Sequence, residues 1–216
     1  MRGVAKIFRS TPARGVRTGG RLAHWNELLE EWCLIHERYC RLVKGDAIYW
    51  NIERANLAAL AAAAWRAGWA ALEEFTQDKM QGRSKFLGRA DLFLKSPDSQ
   101  DYVESKIAWP SRGGTRPVNA KGTLRRLDKA LTDARAVDLA NGSGTRIGLV
   151  FAVPYFRSVV NLSPLELLGP FFDGLQDASL DAVAWCFPAV AQGLTLQEGR
   201  HTHVFPGVVL LAKIAV

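Results

Sequence analysis

Gly88-Arg-Ala-Asp-Leu-Phe-Leu94 and Tyr102-Val-Glu-Ser-Lys-Ile-Ala-Trp109 are two strand-like segments separated by a turn at Ser96-Pro-Asp-Ser99. Apolar and β-branched residues bounded by turn formers predict strands over 86–95 and 101–109. Alternation along the second strand puts Glu104 and Lys106 on one face and Ser105 and Ile107 on the other. Paired as a hairpin, the two segments bring Asp91 to the same sheet edge. Aspartate is poorly suited to a strand interior, yet Asp91 stands between Ala90 and Leu92. The alternative is that residues 88–91 form a turn capped by Asp91. Two carboxylates and an ammonium converging at one edge suit a site for Mg²⁺, because hard divalent cations prefer oxygen ligands. The lysine would stabilise charge that builds during phosphoester hydrolysis.

Outward from this hairpin, the chain alternates helical and strand patterns. A first helix is expected from Leu22 to Val43, with Trp25, Leu28, Leu29, Trp32 and Ile35 at helical spacing. Lys44-Gly45-Asp46 ends it. A second, alanine-rich helix is expected from Ile52 to Asp78. Its inner stripe contains Leu57, Leu60, Ala64, Gly68, Ala71 and Phe75, with Glu53 in line one turn before Leu57. A carboxylate on a sheet-facing stripe needs compensation by a metal, a lysine or water. The alternative is a frayed helix start, where an acid favours the dipole. A third helix is expected over 123–140, stopping at Asn141-Gly142, and a buried strand over 146–156. A proline-interrupted helix near 163–177 and strands at 181–187 and 204–215 complete the pattern. This order predicts an α/β fold, a mixed central β-sheet flanked by helices.

Composition sets the frame. The chain has 216 residues, 48% hydrophobic, with seven tryptophans, enough for one sizeable core. Residues 22–216 are expected to form a single domain. No apolar run is long enough to span a bilayer, and no apolar segment follows the basic N-terminus as a secretory signal requires. Cys33, Cys40 and Cys186 lack zinc-site spacing, and an odd count argues against a disulfide framework. They are expected to be reduced thiols in a cytoplasmic protein.

The net charge is +7, and residues 1–22 hold Arg2, Lys6, Arg9, Arg14, Arg17 and Arg21 without an acid. Residues 1–21, which also lack hydrophobic periodicity, are expected to be a basic flexible arm. Such an arm either contacts phosphate backbones or is a solvated tail. Arg112, Arg116 and Lys121, with Arg125 and Lys129 one turn apart on the third helix, would line a phosphate-binding cleft or form a solvated surface. His201 and His203 share one strand face but read as an exposed pair. Trp65 and Trp69 are expected to pack against the first helix. No GxxxxGK[ST] loop or Ser-His-Asp triad is recognisable.

Gly88-Arg-Ala-Asp91, Glu104-Ser-Lys106, and the helix and apolar strand after them together resemble the PD-(D/E)XK nuclease superfamily, over roughly residues 50–156. Ala90 stands where the name-giving proline would be. The resemblance implies a restriction-endonuclease-like core. It makes Asp91 and Glu104 metal-binding acids, Lys106 the catalytic lysine, and Glu53 the acid found on the helix before the sheet, able to hold a second metal or a metal-bound water. The Ser105 carbonyl would be a further metal ligand. The implied activity is Mg²⁺-dependent phosphodiester hydrolysis, with Mn²⁺ as substitute metal, on DNA in preference to RNA. A homodimer or partner protein and a role in restriction or phage defence follow as expectations. The alternative is an inactive nucleic-acid-binding or assembly subunit of the same fold.

Overall fold

A computed structural model describes residues 13–111, 118–139, 143–157, 168–191, 193–198 and 200–216. Among these, the chain is α/β. Seven strands form one mixed sheet: β1 (Arg14–Thr18), β2 (Ala70–Gln81), β3 (Ser84–Lys95), β4 (Gln100–Ala108), β5 (Thr145–Ala152), β7 (Ala182–Cys186) and β10 (Val208–Ile214). Their spatial order is β1-β7-β10-β5-β4-β3-β2. Only β4 and β5 pair in parallel, joined by α3 (Lys121–Arg135). A second sheet is small, with β6 (Phe156–Arg157), β8 (Thr195–Glu198) and β9 (His201–Val204) in the order β6-β9-β8.

Period-2 alternation decides which helices cover which face. Leu92, Leu94, Val103, Ile147, Leu149, Val208 and Leu210 pack with α1 (Trp25–Leu42) and α2 (Glu53–Arg66). Val150, Ala152, Val209 and Leu211, on the opposite face, pack with α3 and the short α4 (Gly169–Asp173). Both faces of β5, β7 and β10 are therefore buried, which accounts for their continuous apolar runs. The aliphatic cluster under α1 and α2 is the larger and includes Trp25, Trp32 and Leu60. Among the described residues no helix is long and apolar enough to cross a membrane.

Three expectations are corrected here. The alanine-rich helix does not reach Asp78; α2 stops at Arg66, and residues 70–81 are the edge strand β2. Gly68 is the cause. Its φ is +78°, and the Trp69 amide donates to the Ala64 carbonyl five residues back, which closes the helix with a left-handed glycine. Gly68→Ala is expected to cost about 1 kcal/mol. A urea-unfolding midpoint unchanged by the substitution would contradict that cause.

Residues 14–18 do not belong to a flexible arm. They form β1, antiparallel to β7 at the sheet edge. Gly15 permits this, because a Cβ there would run into the Trp185 ring. Arg14 is neutralised by Glu37 at 2.8 Å. Residues 1–12 lie outside the described residues. The expected strand over 204–215 is split at Pro206-Gly207 into β9 and β10, since Gly207 lies against the Cys186 carbonyl with no room for a side chain.

Trp65 and His203 also depart from expectation, whereas Trp69 and the three cysteines follow it. Trp69 is buried and stacks on His24 at 5.7 Å, whereas Trp65 is 61% exposed. His203 is buried against the Tyr155 ring at 5.3 Å. The three cysteines are buried free thiols, and the Cys186 thiol donates to the Cys33 carbonyl. Asp101, fully buried at the start of β4, accepts from Trp25 Nε1 at 2.8 Å and pairs with His24 Nε2 at 2.9 Å. It pins α1 to the sheet.

Candidate active site

The hairpin β3–β4 is where alternation and register meet. The pair Leu92–Val103 is the last in the ladder; the same register carried one step further would set Asp91 opposite Glu104. Instead of continuing the ladder, Asp91 turns its side chain on the partner strand. Asp91 Oδ2 accepts from the Ser105 amide at 2.7 Å and from the Ser105 hydroxyl at 3.3 Å. A carboxylate taking the place of a main-chain acceptor is the aspartate habit that makes it a poor strand residue. On the other side, the β2–β3 ladder is broken at the same level. Glu74 faces Asp91 between the pairs Glu73–Leu92 and Phe75–Ala90, and its φ is +47°. A non-glycine residue held there stores roughly 1–3 kcal/mol of strain. Arg54 and Arg89 hold the Glu74 carboxylate at 3.3 and 3.4 Å.

Glu53, on the first turn of α2, reaches the opposite face of β4. Its two oxygens accept from the Ser105 hydroxyl at 2.9 Å and the Ile107 amide at 2.9 Å. The compensation a sheet-facing carboxylate requires therefore comes from β4 itself. Ser105 links Glu53 to Asp91 through one hydroxyl. Glu53 thus belongs to the constellation as a group that positions β4.

Glu104 and Lys106 lie on the α3 face. Glu104 is 3% exposed, and its Oε1 accepts from Lys79 Nζ at 2.6 Å. Lys106 Nζ donates to the Ser105 carbonyl at 2.7 Å and pairs with Asp133 of α3 at 2.9 Å. Lys79 and Asp133 are functional candidates that sequence reasoning missed. The expected helix ends at Asp78, one residue before Lys79, which gives Lys79 no strand face, whereas it lies in β2. Asp133 has a sequence signal only in hindsight, one turn after Lys129 on the edge of the buried stripe Leu127, Ala130, Leu131 and Ala134.

Electrostatics separate the two charged groups. Burial pushes the Glu104 carboxyl up to about 7; the Lys79 hydrogen bond opposes this and the Asp91 charge adds to it. Burial works against the Lys106 ammonium, but Asp133, Asp91 and Glu53 outweigh it and raise its pKa. Lys106 is therefore a fixed positive charge at neutral pH and no general base. Glu104 exchanges its proton near neutrality.

The folded chain retains a Glu104 proton up to about pH 7, whereas a free glutamate loses it near 4.5. Stability contributed at this group therefore falls as pH rises from about 4.5 to 7 and is level above that. A carboxyl-carbon NMR titration is expected to place the Glu104 midpoint near 7. A midpoint in the ordinary glutamate range would remove this account.

The chain matches no family model, no curated protein and no solved structure.

The donor chemistry suits a hard cation in part. Asp91, Glu104 and the Ser105 carbonyl offer oxygen donors only, and a buried carboxylate with a raised pKa beside a second carboxylate gains from a cation. Among the described residues, however, no three His, Cys, Asp or Glu side chains are grouped to hold a metal ion. Glu53 is committed to Ser105 and Ile107, on the face away from Glu104. Lys121, Arg125 and Lys129 are exposed along one stripe of α3. Arg112 and Arg116 lie outside the described residues.

Proposed function

We propose that this chain is a metal-dependent nuclease that hydrolyses phosphodiester bonds, most readily in DNA, on a restriction-endonuclease-like core. One observation carries the reading. At the point where the β3–β4 ladder ends and the β2–β3 ladder skips one pair, Asp91 lies close enough to Glu104 and Lys106 for its charge to act on both. Asp91, Glu104 and the Ser105 carbonyl are the groups that would hold Mg²⁺, or Mn²⁺ in its place. A divalent cation there would supply Lewis-acid polarisation of a phosphoryl oxygen and a more acidic water.

The remaining work falls to the chain's own groups. Lys106 presents a permanent positive charge where negative charge develops on the phosphoryl oxygens. Glu104, as a carboxylate, would be one of the oxygen donors to the cation. Glu53 and Ser105 hold β4 in register so that Lys106 and the Ser105 carbonyl keep their mutual placement. Lys79 and Asp133 pair with Glu104 and Lys106 and hold their side chains in place. The stripe Lys121, Arg125 and Lys129 suits the phosphate backbone of the substrate.

The test is incubation of the purified chain with supercoiled, linear and single-stranded DNA and with RNA, in Mg²⁺ and in chelator. Chelator-sensitive cleavage of at least one substrate is expected, and none on any substrate in Mg²⁺ or Mn²⁺ would refute the activity. A second reading is a non-catalytic nucleic-acid-binding subunit of the same fold. The closed ion pairs Lys79–Glu104 and Lys106–Asp133 favour it. Binding without cleavage is its signature. Restriction or phage defence is a biological setting consistent with the first reading, as is a homodimer that cuts two strands.

A further inference from the structure

A cavity of about 420 Å³ opens between the end of β4 and the start of α3, lined in part by Ala108, Trp109, Ser111, Asn119, Thr123 and Arg126. Ala108 lies two residues beyond Lys106 on the same face of β4, about 7 Å away by the strand rise. Three observations indicate what the cavity takes.

The first is the charge of the helix start. The opening turns of α3 carry Lys121, Arg125 and Arg126 and no acid in the first turn. Basic residues at a helix N-terminus oppose the dipole, so the arrangement is unfavourable until an anion sits there. The N-cap is Ala120, whose side chain caps nothing, and Asn119 Oδ1 takes only the Lys121 amide. The amides of Gly122 and Thr123 belong to the turn that has no intrahelical acceptor.

The second observation is independent of the helix. Thr123 lines the cavity, is 1% exposed, and its Oγ1 has no hydrogen-bond partner among the described residues. A buried hydroxyl left unpaired costs about 1–3 kcal/mol, which a bound acceptor oxygen would recover.

The third is Trp109 at the rim. It is 39% exposed and held edge-on by Phe205, with ring centroids 6.2 Å apart and planes at 90°. The indole is thereby braced by Phe205 at the rim of the cavity while remaining part-exposed, and an exposed aromatic ring is a stacking platform for a base.

We propose that this cavity binds a backbone phosphate of a single nucleic-acid strand, with the adjoining base stacked on Trp109. Thr123 Oγ1 and the amides of α3 would take the phosphate oxygens, and Arg126 would neutralise the charge. The assignment rests on the nuclease reading for its meaning: it places the strand next to Lys106 and makes an unpaired strand the preferred substrate. Arg126 was not among the basic residues singled out from the sequence.

The test measures binding apart from cleavage. The full chain in chelator is titrated against a fluorescein-labelled octathymidylate by anisotropy over a range of salt concentrations. Trp109→Ala is expected to weaken binding about ten-fold, as loss of one stacked base does. Arg126→Ala is expected to weaken it similarly and to reduce the salt slope by about 0.7, the value for one phosphate on a single strand. Thr123→Val, nearly isosteric, should weaken binding with the salt slope unchanged. No binding by the parent chain, or binding unchanged in all three variants, overturns the proposal. Inorganic phosphate serves as competitor. If it binds in a Thr123- and Arg126-dependent way and the oligonucleotide does not displace it, the site takes free phosphate and the nucleic-acid assignment fails.

Failure of the two readings is separable. Variant-sensitive binding with no cleavage in any metal leaves the strand site standing and removes only the nuclease. Cleavage with binding unaffected by the variants does the reverse.

Discussion

Asp91→Asn lowers Mg²⁺-dependent cleavage about 1,000-fold or more, the scale of losing a preorganised group that acts on developing charge. Asparagine keeps an oxygen that can accept from the Ser105 amide and hydroxyl, so the β3–β4 separation is preserved. Only the charge is lost. Lys106→Ala should act on the same scale, because it removes the ammonium that donates to the Ser105 carbonyl and the permanent positive charge disappears. Lys106→Ala also leaves Asp133 without its partner, but Asp133 is on a half-exposed position and loses little. The measurement is turnover of a plasmid substrate in Mg²⁺, with circular dichroism and thermal melts to establish that both variants fold. Wild-type turnover in either folded variant would sink the assignment. A fall in both with octathymidylate binding retained would place the effect on chemistry and not on substrate capture.

Gly148→Val unfolds or strongly destabilises the chain, by about 3 kcal/mol or more if the core repacks poorly. Gly148 sits in β5 directly beside Glu104 in the parallel ladder. A Cβ built there would lie 2.7 Å from the Leu131 amide nitrogen and 2.9 Å from its Cα, both backbone atoms of α3. Backbone does not yield as a flexible side chain tip does, so α3 must move off the sheet. Displacing α3 carries Asp133 away from Lys106. The expected outcome is a melting temperature lower by roughly 6–12 °C, from about 2–4 °C per kcal/mol in a chain of this size. A melting temperature within a degree of the parent would show that α3 does not depend on this contact. In a variant that still folds, the Lys106 environment should change as well, read from its side-chain NMR signals.

The strands β3 and β4 were legible because their signal is local. Alternate residues point to opposite faces whatever surrounds the strand, and Leu92, Leu94 and Val103 are buried on the side the pattern assigns. Glu53 was legible for a similar reason, as the one acid on a sheet-facing stripe, although its partners are Ser105 and Ile107. The boundary between α2 and β2 was misjudged. Alanine propensity continues past Gly68, but the glycine's left-handed conformation and pairing of residues 70–81 with β3 override it. Lys79 was out of reach as a site residue for the same reason. The β1 strand was hidden behind its arginines, because an edge strand needs only one apolar face and tolerates charge.

From the residues alone came the α/β class and the two faces of β4. Those follow from backbone periodicity, which acts over a few residues. Folding alone decided that Lys79, 25 residues from Glu104 in the chain, would neutralise it, that Asp133 would hold Lys106, and that a cavity would open at Thr123. Such pairings depend on strand register and on how closely a helix approaches the sheet, and both are set by packing between segments distant in sequence.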